Sequence, residues 1–77
     1  MDKPQDVMDA YRAELRRLYG DEIAKETILY YKRGWYYLSM ARRHRDGSVG
    51  AFTWTTPHRK KAILEMIENL RGREVKK

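Results

Sequence analysis

Seventy-seven residues with a net charge of +6 are enough for one domain and exclude a second with its own core. The chain has no cysteine, which excludes disulfides, thiolate zinc sites and thiol nucleophiles and favours the cytoplasm over secretion. No run approaches the ~20 apolar residues of a membrane span, and the opening "MDKPQDVMDA" lacks a signal peptide's apolar stretch, so a complete soluble protein without membrane contact is expected.

The charge is unevenly placed. Residues 1–26 carry five Lys or Arg against seven Asp or Glu, residues 27–50 five against one, and residues 51–77 seven against three. The positive excess beyond residue 26 points to a polyanion or an acidic protein surface as partner.

In chain order, "PQDVMDAYRAELRRLY" sets Val7, Met8, Tyr11, Leu15, Leu18 and Tyr19 on one helical face and predicts a helix over about 4–19. Pro4 suits its first turn and Gly20 its end. "DEIAKE", residues 21–26, reads equally as loop, short turn or continued helix. From Thr27 to Thr56 β-branched and aromatic residues predict strands over about 27–32, 35–43 and 48–55, with turns at Arg33-Gly34 and Arg45-Asp46-Gly47. The first turn pairs Tyr31 with Tyr36 and Leu29 with Leu38. The second, with Gly47 left-handed, pairs His44 with Ser48, Met40 with Phe52 and Leu38 with Trp54.

Alternation then sorts two faces. Leu29, Tyr31, Tyr36, Leu38, Met40, Phe52 and Trp54 make a core face. Ile28, Tyr30, Lys32, Trp35, Tyr37, Ser39, Ala41, Arg43, Ala51, Thr53 and Thr55 make the other. A second helix is expected over about 57–71, capped by Thr56, begun by Pro57, striped by Ile63, Met66, Ile67 and Leu70 and ended by Gly72, before a frayed tail, 72–77. The expected fold class is α+β: a small single domain in α-β-β-β-α order, its three-stranded antiparallel sheet packed against helices.

Three features carry candidate chemistry. At the start of the second helix, His58, Arg59, Lys60 and Lys61 oppose the helix dipole, a locally unfavourable choice that suits a phosphate site. The sheet face with Tyr30, Lys32, Trp35, Tyr37 and Arg43 can meet phosphates, sugars and bases, with Arg33 at its turn, unless the first helix covers it and makes the aromatics core. The hairpin tip offers Arg43 and Arg45, with Arg42 nearer the core edge. His44 and His58 have no accompanying ligand set, the serines stand in no triad context and no glycine-rich phosphate loop occurs, so no metal, cofactor or enzymatic activity is expected.

The stretch "KRGWYYLSMARRHRDGSVGAFTWTTPHRKKAILEMIENL", about half the chain, resembles the arm-binding N-terminal domain of tyrosine-recombinase integrases and is similar to ethylene-response-type DNA-binding domains. The likeness lies in Gly34-Trp35 opening the middle strand, Arg42-Arg43 before the turn, Asp46-Gly47 within it, the aromatic third strand and Lys61-Ala62-Ile63. It implies a sheet face that enters the major groove through Lys32, Trp35, Tyr37 and Arg43. The element order is also similar to the double-stranded-RNA-binding domain, which implies phosphate contacts by Arg59, Lys60 and Lys61. The function expected is nucleic-acid binding, duplex DNA before RNA. The alternative is a protein-binding or inhibitor-type module that docks an acidic partner or self-associates through its aromatics, as monomer or homodimer.

Overall fold

A computed structural model describes residues 3–73. Helix α1 spans Pro4–Tyr19, with Pro4 and Asp6 in its first turn and Arg16 and Arg17 in its last, the order the helix dipole favours. Gly20, at φ +98°, ends it and donates its N–H to Arg16 O. The ambiguous segment 21–26 forms a short helix, α2, Asp21–Glu26. Arg12 Nη1 donates to Ala24 O over 2.6 Å, so α1 holds a carbonyl at the end of α2. Buried Thr27 follows: its Oγ1 donates to Ile23 O (2.8 Å) and accepts from the Ala41 N–H (3.0 Å).

Strands β1 (Ile28–Lys32) and β2 (Trp35–Ser39) pair as the turn residues predict, Leu29 with Leu38 and Tyr31 with Tyr36. Arg33 and Gly34 take φ +52° and +85°, the two positive values a tight hairpin turn of this hand requires. Beyond a break at Met40-Ala41 come β3 (Arg42–Arg43) and β4 (Val49–Gly50), paired with each other. Their tip closes as expected around Gly47, at φ +91°, with the His44 N–H donating to Ser48 O over 2.7 Å.

The expected third strand over 48–55 departs from this pattern. Past Gly50 the chain leaves the ladder, and β5 (Thr56–His58) returns to pair Thr56 with Leu38 and His58 with Tyr36. Between the two ladders, residues 51–55 on one side face only 39–41 on the other, so two extra residues must arch outward. Phe52 and Trp54, expected in the core opposite Met40 and Leu38, are instead 51% and 65% exposed. They stack on each other, centroids 4.6 Å apart. Pro57 also changes role. It lies in edge strand β5, where its missing N–H is tolerated, and helix α3 begins three residues later, spanning Lys60–Arg71 with Arg59 as its cap residue.

The sheet has the order β1-β2-β5 and is antiparallel throughout, giving the α+β architecture the sequence predicts. Its helix-facing side supplies Leu29, Tyr36 and Leu38 to the core. There they meet Val7, Tyr11 and Leu15 of α1, Ala24 of α2, and Ile63, Ile67 and Leu70 of α3, with Met40 and Met66 packed at the margin. Tyr31, on the same side, lies at the sheet edge and is 42% exposed, edge-on to Tyr36 at 5.0 Å. The backbone extends 36 × 28 × 15 Å, and the 15 Å dimension holds one helical layer on one sheet. Of the tail expected to fray, Gly72 and Arg73 follow the helix, Arg73 donating to the Tyr19 hydroxyl over 2.9 Å; residues 74–77 lie outside the described residues. Among the described residues no helix is long and apolar enough to cross a membrane.

Candidate nucleic-acid interface

The sheet face opposite the helices contributes nothing to the core cluster. Cross-strand pairing puts Tyr30 beside Tyr37 and Lys32 beside Trp35 on that face. The Tyr30 and Tyr37 rings stack at 5.1 Å and 18°, and Tyr30 is 45% exposed. The other end of the face is closed: Ser39 and Ala41 are buried.

Helix α3 adds to the open end because β5 delivers the chain there. With His58 opposite Tyr36, the next residue, Arg59, comes alongside the β1–β2 turn. Its guanidinium lies 3.7 Å from the centroid of the Trp35 ring, and its Nη1 donates to Gly34 O over 3.2 Å. Lys60 and Lys61 follow in the first turn of α3, so Lys32, Arg33, Trp35, Arg59, Lys60 and Lys61 gather at one end of the sheet. His58 is directed elsewhere. It shares the helix side of β5 with Thr56, and its Nε2 lies 2.9 Å from Thr56 Oγ1, which itself donates to Leu38 O.

Two local costs concentrate in this cluster. Arg33, at φ +52°, occupies a conformation that costs a non-glycine residue about 1–2 kcal/mol. Helix α3 starts with no side-chain cap and no acid in its first turn, which leaves the amides of Lys60, Lys61 and Ala62 without intrahelical acceptors beside two lysines. The opposite end of α3 is well served: Arg17 donates to Leu70 O (2.8 Å) and Arg73 O (3.3 Å). Ion pairs follow the same division. Among the described residues they join Arg16 to Asp21, Arg17 and Arg71 to Glu14, and Arg71 to Glu68. None involves Lys32, Arg33, Arg59, Lys60 or Lys61.

The hairpin forms a separate patch. Arg43 and Arg45 are exposed, and Arg43 Nη1 donates to Gly47 O over 3.3 Å. Asp46, the acid at the tip, accepts from the Ser48 hydroxyl (2.6 Å) and amide (2.9 Å). Those bonds hold its carboxyl below the usual value of 3.8. This patch lies beyond the far end of β2 from Trp35, up to about 26 Å along extended chain, so Arg43, expected on one face with Tyr30, Lys32, Trp35 and Tyr37, lies apart from them. Phe52 and Trp54 belong beside the hairpin patch, just past the strand that pairs with Arg42 and Arg43. Gly50 is the signal for them, since a lone glycine in a strand marks a bulge or bend.

No group of three or more metal-binding side chains is gathered among the described residues. Comparison with protein-family models, curated proteins and solved structures gives no match.

Proposed function

We propose that the protein binds nucleic acid, duplex DNA in preference to RNA, through the open face of its sheet. The observation that supports this reading most is the gathering of Lys32, Arg33, Arg59, Lys60 and Lys61, none in an ion pair among the described residues, beside a sheet face that no helix covers, where Tyr30 is exposed, Tyr37 is half-buried and Trp35 lies under the Arg59 guanidinium. Unpaired cations release the counterions condensed on a phosphate backbone, which drives binding without sequence information. The bare start of α3 presents amides to one phosphate, and the aromatic rings face sugars and base edges. Size favours a duplex: outer strands about 10 Å apart across a three-stranded sheet fit a major groove of roughly 12 Å. The hairpin patch is a second contact further along the backbone.

Salt-titrated binding to duplex DNA, duplex RNA and single strands tests this. Duplex DNA is expected to bind tightest, with log affinity falling linearly against log salt. Absence of binding to all three at about 50 mM salt refutes nucleic-acid binding, and tighter binding of single strands refutes groove entry. Lys60→Ala with Lys61→Ala is the cleaner probe of the phosphate anchor, because Arg59 also holds Trp35 and the Gly34 carbonyl.

A further inference from the structure

The two outer edges of the sheet differ in what their backbones offer. Pro57 pairs with Tyr37 and has no N–H, so the hydrogen-bonded pairs of that ladder are Tyr36 with His58 and Leu38 with Thr56. Pro57 thus turns its nitrogen outward, and the β5 edge has no donor at its centre. By the same alternation Trp35, Tyr37 and Ser39 direct their backbone groups toward β1, where they meet Lys32, Tyr30 and Ile28. Leu29 and Tyr31 are left with N–H and C=O groups directed away from the sheet, and no backbone hydrogen bond outside the ladder reaches them among the described residues.

We propose that this edge docks a second copy of the chain, β1 pairing antiparallel with β1 of its partner about a two-fold axis at Tyr30. The free groups are self-complementary under that symmetry. Leu29 exchanges both hydrogen bonds with the partner's Tyr31, and Tyr31 with the partner's Leu29. Side chains match as well. Tyr30 and Tyr31, 45% and 42% exposed, meet the partner's Tyr30 on the open face and the partner's Leu29 on the helix side. Edge strands are commonly blocked by proline, charge or a bulge, and Ile28–Tyr31 contains none of these. Lys32, the one charge on β1, lies opposite the partner's Ile28. The two Lys32 Cα atoms are then about 14 Å apart, beyond the ~8 Å screening length of physiological salt. The product is one six-stranded sheet in the order β5-β2-β1-β1-β2-β5 with a continuous open face. This pairing does not rest on the nucleic-acid reading, and its test contains no nucleic acid.

Sedimentation of the full chain across concentrations up to millimolar is expected to show the mass rising from 9.3 kDa to twice that value. The chain has no cysteine, so Tyr30→Cys supplies a unique thiol. Opposed residues of a non-hydrogen-bonded pair have Cα atoms about 4.5 Å apart, inside the range of ~4.4–6.8 Å that a disulfide spans. Mild oxidation is expected to lock Tyr30→Cys as a dimer and to leave Lys32→Cys, at about 14 Å, uncrosslinked. A chain that stays monomeric throughout, or Lys32→Cys crosslinking as readily as Tyr30→Cys, overturns the proposal.

Discussion

Tyr36 and Tyr37 are adjacent on β2 and point to opposite sides of the sheet. Tyr36 is 2% exposed and packed among residues of α1, α3 and β1, whereas Tyr37 lies on the open face, stacked on Tyr30. The helix side carries the core, and the acids and cations paired with each other lie on the helices and at their ends. The open side and the adjoining end of the sheet hold cations that form no ion pair among the described residues, a strained Arg33 and the one helix start with no acid in its first turn. A two-layer protein of this size places nearly all its stabilising contacts on one side of the sheet. The other side is therefore free to hold arrangements that folding alone does not favour.

The largest test contrasts neighbours on β2. Leu38→Ala is expected to cost about 2–5 kcal/mol, a large share of the roughly 4–12 kcal/mol available to a chain of this length. Tyr37→Ala forfeits a stacking contact of about 0.5–1.5 kcal/mol and is expected to fold, yet to bind duplex DNA at least tenfold more weakly. Urea midpoints and affinities of both variants decide it. A Tyr37→Ala midpoint as low as that of Leu38→Ala erases the distinction between the faces.

A smaller and sharper effect separates stability from binding at α3. Lys60→Glu with Lys61→Glu corrects the dipole mismatch and is expected to stabilise by about 0.3–1 kcal/mol per site. The same pair lowers the salt slope of binding by about 2. Thermal melts that fall instead of rising show that the lysines make contacts beyond those described.

Smallest is the alkaline response. Burial pushes the phenols of Tyr36 and Tyr11 above their usual 10, with Tyr31 and Tyr19 respectively adding to the shift. Each contribution is complete below pH 10, where both states keep the proton, and is lost as pH rises through the folded value. Tyr36→Phe is expected to flatten the decline in urea midpoint above pH 10. An unchanged decline assigns it to other groups.

The legible parts of the fold were those with local causes. Arg33-Gly34 sets the β1–β2 register and Gly47 the hairpin tip, because each turn needs a positive φ at one or two fixed places. The arch at 51–55 has only Gly50 as a local sign, and no positive φ there fixes it. Phe52, Thr53 and Trp54 are strong strand formers, and alternation alone carries them into the core. Pro57 satisfies two rules, first residue of a helix and member of an edge strand, and the choice depends on a ladder formed with residues about twenty positions away. At the candidate site residue types were legible but their grouping was not. Arg59 and Trp35 are 24 residues apart in the chain and meet only because β5 ends opposite Tyr36.

The arch also works as a length gauge. Its two surplus residues let the hairpin ladder and the sheet ladder each keep its own register, so neither constrains the other. Shortening the segment by two leaves three residues opposite 39–41 and brings both ladders into one count, while the Ala41 N–H stays committed to Thr27. Loop length at 51–55 thus sets whether the two ladders share one residue count.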